Sequence, residues 1–287
     1  MTNITLTDVE FKVDGLQLHA IQAGPENGEL VVLLHGFPEF WYGWRHQIEP
    51  LASAGYCILA PDQRGYNLSD KPPGVAAYRL EETAKDVLSL LDGLGREKAT
   101  IIGHDWGGGV AWWLAINYPE RMGRLAILNM PHPLVLQRTL LRNPKQVFRS
   151  LYAAFFQLPG LPEAILRNND WELLVRTLQV SSQQGAFTSK DIEEYRRAWW
   201  KDGAMTGMLN WYRANLRFPP KFPENIQVRV PTLIIWGAQD AALSREMASA
   251  SRNLCVDSQL IMFEDATHWV QHEKAKEVNA LLLDFLG

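Results

Sequence analysis

The stretch GHDWGGG (Gly103 to Gly109) decides how the rest of the chain is interpreted. It follows the apolar run ATII and has the outline of the nucleophile elbow G-x-S-x-G, in which a strand enters a sharp turn and then a helix. Aspartate stands where serine is usual. Glycines on both sides allow the close turn, and a following helix N-terminus favours negative charge. We therefore predict an ionised Asp105 at a sheet edge; the alternative is that Asp105 only caps the helix.

Apolar runs rich in β-branched residues recur along the chain and predict parallel strands that are covered on both faces, with helices between them. The runs are LVVLLHG (30–36), YCILAPD (56–62), ATIIGHD (99–105), RLAILNM (124–130) and PTLIIWG (231–237). The first thirty residues alternate between apolar and polar, which predicts an antiparallel hairpin at the sheet edge. The fold class is therefore α/β, with a mostly parallel, doubly wound sheet.

The strand pattern stops after Pro131 and resumes only after about Val230. Helical segments fill this interval, and Thr188 with Asp191 forms the pattern of a capping box at the start of one of them. We therefore predict a core formed by residues 1–130 and 231–287. A helical insertion after the sixth strand, residues 131–230, is called the lid below.

Composition limits the kinds of partner. The 287 residues are 47% apolar and carry a net charge of −4 without long runs of either sign. This balance gives no electrostatic signature for nucleic acid or for an anionic membrane. No leader pattern is visible, and no apolar run approaches the roughly 20 residues of a membrane span, so we expect a cytoplasmic protein. Cys57 and Cys255 match no metal or redox spacing and are expected to be buried free thiols.

A carboxylate that attacks carbon forms an ester, and turnover then needs a water activated by a base. His268, in the segment DATHWVQHE after the strand-like run QLIMF, is the candidate base. Asp240 ends the run PTLIIWGAQD and could hold the tautomer of His268 and stabilise its protonated form. The chain order Asp105, Asp240, His268 is nucleophile, acid, base, as expected for a nucleophile-elbow enzyme.

The remaining histidines are interpreted as structural. His35 and His104 are expected to brace loops by hydrogen bonding, and no spacing makes His46, His132 or His272 a metal ligand. The sequence therefore predicts neither a metal nor a cofactor.

These residues together resemble one family, the epoxide hydrolases of the α/β-hydrolase fold, over essentially the whole chain. The segments that carry the resemblance are HGFPEFWYGWRHQI, APDQRGYNLSDKP, GHDWGG, FFQLPG, LNWYR, WGAQD and THWVQHE. The HGFP and GHDWGG motifs are shared with haloalkane dehalogenases. The resemblance implies the α/β-hydrolase fold, with its helical lid.

The lid separates the two chemistries. A departing halide needs only weak donors, whereas an opening epoxide develops alkoxide character and needs an acid such as tyrosine. The family's two lid tyrosines fall on Tyr152, in LYAAFFQLPG, and on Tyr212, in LNWYR. Phe37 stands where some dehalogenases have asparagine, and Trp106 stands where fluoroacetate dehalogenases usually have arginine. Both departures count against dehalogenation.

The same resemblance implies the other parts of the site. The backbone N–H groups of Phe37 and Trp106 are expected to form the oxyanion hole for ester hydrolysis. The Phe37–Pro38 peptide bond is expected to be cis. The substrate pocket is expected to include Phe37, Pro38, Trp106 and Trp269.

The implied function is hydrolysis of epoxides to vicinal diols through an ester on Asp105, which water activated by His268 then cleaves. The expected partners are a small, mostly apolar epoxide and water, with no nucleic acid, and the protein is expected to be a monomer or a homodimer. Two alternatives stay open at this point. One is a haloalkane or haloacid dehalogenase with the same nucleophile, and the other is a non-catalytic receptor that has kept the pocket.

Overall fold

The computed structural model describes residues 4–287, which form an eight-stranded sheet with helices on both faces. The strands are β1 (Thr7–Val13), β2 (Leu16–Ala23), β3 (Leu30–Leu34), β4 (Cys57–Pro61), β5 (Ala99–His104), β6 (Met122–Leu128), β7 (Thr232–Gly237) and β8 (Ser258–Phe263). Their spatial order is β1-β2-β4-β3-β5-β6-β7-β8. β1 pairs antiparallel with β2, and β2 pairs antiparallel with β4. The six strands from β3 to β8 are parallel to one another. The predicted parallel strands and the edge hairpin are confirmed.

Core helices cover the two faces of this sheet. They are α1 (Ile48–Ser53), α2 (Leu80–Gly93), α3 (Trp106–Asn117), α10 (Glu246–Arg252), α11 (Val270–Glu273) and α12 (Ala275–Leu286). Alternate residues of a strand face opposite sides, so Val32 and Leu34 of β3 pack with residues of α2 and α3, whereas Val31 and Leu33 pack with α1 and α12. The central strands β3, β4 and β5 are fully buried because both faces are covered.

Six further helices lie between β6 and β7, in the segment predicted to be the lid. They are α4 (Pro133–Arg142), α5 (Pro144–Arg149), α6 (Leu151–Phe155), α7 (Leu161–Ser181), α8 (Ser189–Trp199) and α9 (Ala204–Arg217). The predicted capping box is present at the start of α8, where Thr188 and Asp191 bond each other's backbone N–H. α7 is interrupted at residues 168–171, where three residues have positive φ. The domain limits at 131 and 230 stay a prediction.

The lid is fixed to the core by side chains that reach into loops beside the sheet. The indole N–H of Trp199 donates to the carbonyl of Pro38 at 2.7 Å, and that of Trp211 donates to the carbonyl of Arg64 at 3.0 Å. Both indoles are buried. These tryptophans therefore join the two parts of the chain rather than line a binding site.

Two features of the sequence analysis can be placed here. Cys57 is buried, but Cys255 is half-buried, so the expectation of two buried thiols is wrong for Cys255. It lies beyond α10 in a short bridge to Val228 outside the main sheet, where fewer atoms cover it. Between residues 4 and 287, no helix is long and apolar enough to cross a membrane.

Candidate active site

The turn after β5 places Asp105 at the edge of the sheet, with φ of 49° and ψ of −124°. The flanking glycines are needed because backbone segments pass very close to them. A Cβ on Gly103 would lie 2.4 Å from the carbonyl oxygen of Gly107, and a Cβ on Gly107 would lie 2.1 Å from that of Leu34. Any side chain at either position would push α3 away from the sheet.

The Asp105 carboxylate faces a neighbouring loop instead of its own helix. It makes no side-chain capping bond to α3, and its Oδ1 accepts a hydrogen bond from the backbone N–H of Phe37 at 2.9 Å. The loop after β3 approaches so closely that a Cβ on Gly36 would lie 2.3 Å from the Cβ of Asp105. Asp105 therefore does not act as a side-chain cap, and its carboxylate is held between two core loops.

His268 and Asp240 lie beside Asp105 because the parallel strands β5, β7 and β8 all have their carboxyl ends on the same side of the sheet. Asp240 follows β7 and His268 follows β8. Nδ1 of His268 is 2.7 Å from Oδ2 of Asp240, and its Nε2 is 3.7 Å from Oδ2 of Asp105. The structure thus brings together the three residues that the chain order indicated, with the imidazole between two carboxylates.

The carboxylates change the acidity of His268. Burial, which has the largest influence, lowers its pKa, but the charge and hydrogen bond of Asp240 and then the charge of Asp105 raise it to about 9. For Asp240, burial raises the pKa, but the imidazolium of His268 and several hydrogen-bond donors outweigh burial and hold the pKa below its usual value. The pair is therefore an imidazolium bound to a carboxylate at neutral pH.

Two lid tyrosines line the same cavity of about 450 Å³ as Asp105. Asp105 and Trp106 of the core and Tyr152 of α6 and Tyr212 of α9 are all among its lining residues. The rings of Tyr152 and Tyr212 meet edge-on, with their centroids 5.7 Å apart. Aliphatic and aromatic side chains from α4 to α6 and from residues 216–222 complete the cavity.

Both phenols keep their protons over the physiological range. Burial and then the negative charge of Asp105 raise the pKa of Tyr152 above its usual value. The pKa of Tyr212 is raised well above 10 by burial, by Tyr152 and by Asp105. Each phenol is therefore a neutral hydrogen-bond donor, which suits a group that meets a developing alkoxide.

Comparison with known proteins identifies the family of this chain. Residues 29–275 match the family model described as alpha/beta hydrolase fold. The chain is 38% identical to Epoxide hydrolase 4 of Mus musculus over 97% of this chain and 78% of that protein. It belongs to the epoxide hydrolases of the α/β-hydrolase fold.

Two more proteins show how far the similarity extends. The chain is 48% identical to the AB hydrolase superfamily protein YfhM of Bacillus subtilis over 95% of both chains. The crystal structure of an epoxide hydrolase from Bacillus megaterium in complex with an inhibitor superposes with a TM-score of 0.88 at 33% identity. That superposition covers 97% of this chain and 99% of the other. The chain is thus a hydrolase whose core and lid both have counterparts in this family.

The backbone donors expected in this hydrolase lie next to the nucleophile. Phe37 N–H already reaches Asp105, and the Phe37–Pro38 peptide bond is cis, as the resemblance implied. Trp106 is the first residue of α3, so its N–H has no acceptor inside the helix. Trp106 follows Asp105 in the chain, and Phe37 is hydrogen-bonded to the Asp105 carboxylate.

The expected pocket residues divide into two groups. Trp106 lines the cavity, and the ring of Phe37 packs edge-on against Tyr212 at 5.3 Å without being part of the lining. Pro38 and Trp269 are not among the lining residues of the part of the chain that the structure describes. Pro38 carries the carbonyl that holds Trp199, and the indole of Trp269 donates to the Ser181 hydroxyl at 2.9 Å. Both therefore contribute to the joint between core and lid.

Asn129 is a site residue that the sequence analysis did not single out. It is fully buried at the end of β6, and its Nδ2 donates to Oδ2 of Asp240 at 2.8 Å. Its Oδ1 accepts from the N–H of Gly237 at 2.8 Å. Asp240 also accepts from the backbone N–H groups of Ala242 and Leu243, so its carboxylate has four donors, His268 included. An asparagine directly after a buried strand was the available signal.

A buried carboxylate behind His268 was also missed. Oε1 of Glu39 accepts hydrogen bonds from the Tyr195 hydroxyl at 2.6 Å and from Nε2 of His272 at 2.8 Å. His104 lies 3.2 Å from the other oxygen of Glu39, and its Nε2 donates to the backbone carbonyl of His268 at 2.9 Å. His104 therefore braces the loop of the base, as predicted, and Glu39 lies behind it. The glutamate of HGFPE could have been noted as an acidic residue in an apolar motif.

The other histidines have structural partners. Nδ1 of His35 lies 3.0 Å from the carbonyl of Gly36, and its Nε2 accepts from the N–H of Gln63 at 3.0 Å. His132 caps α4. Within residues 4–287, no three His, Cys, Asp or Glu side chains converge as metal ligands would, and the expected absence of a metal or cofactor stays a prediction.

Proposed function

We propose that this chain hydrolyses epoxides in two steps through an ester on Asp105. In the first step an oxygen of Asp105 attacks a ring carbon, and the carbon–oxygen bond of the ring breaks. The ring oxygen takes a proton from Tyr152 or Tyr212 and becomes the first hydroxyl group. The observation that supports this assignment is that one cavity is lined by the Asp105 carboxylate and by two phenols whose pKa values are raised.

In the second step water attacks the carboxyl carbon of the ester. His268 removes a proton from this water through Nε2, and the N–H groups of Phe37 and Trp106 stabilise the resulting oxyanion. One such donor typically contributes about 2.7–4 kcal/mol to transition-state stabilisation. The intermediate then breaks the bond between the carboxyl carbon and the substrate oxygen, which takes the proton held by His268 and leaves as the second hydroxyl of the vicinal diol; this oxygen comes from Asp105. The other proton of the water returns to the phenolate left by the first step, and the Asp105 carboxylate is regenerated with an oxygen from water.

The charge around His268 suits this sequence of steps. The negative charge of Asp105 is one of the causes that raise the pKa of His268 to about 9. Ester formation removes this charge, so the pKa of the imidazole falls at the point where a base is required. The first step thereby prepares the base for the second.

The lining of the cavity indicates the kind of substrate. Most of its side chains are apolar, and Asp105 and the two tyrosines are among its few polar residues. A small, mostly apolar epoxide with its ring beside Asp105 and the tyrosines suits this composition. The same phenols argue against halide release as the main reaction, because a halide leaves as a stable anion and gains little from a proton donor.

Isotope labelling tests the ester. In a single turnover of styrene oxide in ¹⁸O-water, with enzyme in excess, the label is expected in the Asp105 carboxylate and not in the diol. Mass spectrometry of the peptide that contains residues 103–109 and of the diol measures both. Label that enters the diol directly would mean that water attacks the epoxide itself, and the ester would be excluded.

A further inference from the structure

A stretch that runs from the end of the first core segment into the lid carries only positive charge. From Arg121 to Pro162 the chain has no Asp or Glu, although the protein as a whole has 32 acidic and 28 basic residues. Four basic residues of this stretch lie on α4 and α5, and all are exposed: Arg138, Arg142, Lys145 and Arg149. Within residues 4–287 none of the four takes part in an ion pair. The average charge of the chain conceals this local cationic surface.

Large apolar side chains are exposed on α4, α5 and α6. Leu141 is 80% exposed, Phe148 is 75% exposed and Leu151 is 50% exposed. On α5, Lys145, Phe148 and Arg149 are three and four residues apart and so share one face of the helix. We refer to the exposed basic and apolar residues of α4 to α6 as the docking face. Monomeric proteins rarely expose clustered apolar residues of this size without a binding role.

Part of the docking face lies at the catalytic cavity. Val147, Leu151 and Tyr152 are exposed to solvent and also line the cavity. Leu216, which is 53% exposed, is a further lining residue that solvent reaches. Whatever covers α5 and α6 therefore also covers exposed lining residues of the cavity.

We propose that the docking face binds the surface of an anionic lipid bilayer, so that apolar epoxides enter the cavity from the membrane. Basic residues pair with lipid phosphates while neighbouring apolar residues enter the headgroup boundary, as in peripheral amphipathic helices. The binding step is independent of the proposed function, whereas delivery of an epoxide to Asp105 rests on it.

Charge favours this occupant over a second copy of the chain. A two-fold symmetric dimer would bring the same surface of both protomers together. Four unpaired cations would then face four others, which is repulsive. An anionic bilayer instead supplies opposite charge over the whole area, and it can dissolve the same apolar compounds that fit the cavity.

The contribution of charge can be tested with vesicles. The variant reverses the four basic residues of the docking face: R138E, R142E, K145E and R149E. The matched control reverses four exposed lysines that lie elsewhere and form no ion pair within residues 4–287: K12E, K98E, K190E and K276E. Both variants change the net charge equally. None of the eight residues lines the catalytic cavity.

The measurement is co-sedimentation with vesicles of phosphatidylcholine and phosphatidylglycerol, at low salt. Each basic residue near an anionic surface strengthens partitioning by about fivefold, so the docking-face variant is expected to bind at least about 100-fold more weakly. The control variant is expected to bind within a few-fold of the wild type. Pure phosphatidylcholine vesicles and high salt are expected to weaken wild-type binding, because screening shortens the reach of the charges.

The apolar part has its own variant, Leu141→Ser with Phe148→Ser. Both side chains are exposed, so the fold is expected to be retained, while binding to the anionic vesicles falls by about tenfold or more. Absence of wild-type binding, or equal loss in the docking-face and control variants, would overturn the proposal. Concentration-dependent dimerisation that the docking-face variant abolishes, without vesicle binding, would assign this surface to a second copy.

A kinetic measurement separates this inference from the proposed function. Turnover of water-soluble styrene oxide without vesicles is expected to be the same in the wild type and the docking-face variant. Turnover of a long-chain alkyl epoxide dissolved in the anionic vesicles is expected to fall in the docking-face variant alone. Absence of wild-type turnover in every medium would contradict the proposed function. Normal wild-type turnover without binding to vesicles would contradict only the proposed docking.

Discussion

The core and the lid hold their halves of the active site by different interactions. On the core side, Asp240 has four hydrogen-bond donors, and Asp105 accepts from a backbone N–H. On the lid side, the ring of Tyr212 packs edge-on against Trp106 at 5.1 Å and against Phe156 at 5.1 Å. The core side thus fixes charges at strand ends, whereas the lid side supports neutral donors on an apolar wall. The charged groups and the neutral hydrogen-bond donors of the site therefore come from separate parts of the chain.

The largest expected effect comes from the core side. His268→Gln removes the base but leaves the nucleophile and both phenols, so ring opening continues and hydrolysis falls by about 10⁴-fold. Intact mass spectrometry is expected to show the enzyme plus one molecule of epoxide. The same measurement on Asp105→Asn is the control and should show no adduct. Steady diol formation by His268→Gln without an adduct would contradict the role of His268.

The corresponding test on the lid side removes both phenols. Tyr152→Phe with Tyr212→Phe is expected to lower epoxide opening by about 10³-fold, because the leaving oxygen has lost its acid. Each single variant is expected to lose less. Tyr42→Phe is a matched control, since its hydroxyl binds Asp191 outside the cavity. If the double variant opens epoxides at the wild-type rate, the lid side contributes no acid, and the division between the two parts fails.

Asn129 tests how far the core side depends on its supporting hydrogen bonds. Asn129→Ala removes one of the four donors to Asp240, which is expected to lower the kcat of ester hydrolysis by about tenfold with KM nearly unchanged. Asn279→Ala, which removes a bond to the backbone of His46, is the control for loss of an asparagine. A larger change in KM than in kcat would indicate that Asn129 acts on substrate binding instead.

The smallest expected effect concerns the charge that Asp105 places beside the base. The Asp105 charge raises the pKa of His268, so Asp105→Asn is expected to lower this pKa from about 9. Nuclear magnetic resonance of the labelled imidazole against pH measures the shift in both proteins. The pKa is expected to fall because the substitution removes the negative charge of Asp105, whereas burial, which lowers the pKa, and Asp240, which raises it, are unchanged. An unchanged or higher pKa in the variant would mean that the charge of Asp105 does not raise the pKa of His268.

Much of the core could be predicted from the sequence because its strands are short, buried and uniformly apolar. The run ATIIGHD predicts β5 and the turn at Asp105, and the run that ends at Asp240 predicts β7. Because β5, β6 and β7 are parallel, the carboxyl ends of β5 and β7 lie on the same side of the sheet. Periodicity is informative where one environment surrounds a whole segment. The lid tyrosines came instead from the resemblance, since nothing local separates Tyr212 from the tryptophans around it.

Residues that act through distant partners could not be predicted. Glu39 meets Tyr195 and His272, which are 156 and 233 positions away along the chain. Asn129 supports Asp240 across 111 positions. The side-chain packing that directs Trp269 toward Ser181 and the irregular turn inside α7 depend on tertiary contacts, which override local pattern.

The closeness of Gly36 to Asp105 affects how this scaffold can change. Asp105 is held between its own turn and the loop after β3, through Gly36 and the N–H of Phe37. No side chain of α4 to α9 takes part in these contacts. Transplanting helices from a relative should therefore alter which molecules are accepted while the reactive carboxylate keeps its place. In such an architecture, selectivity can diversify through the insertion, while the reactive carboxylate stays with the sheet.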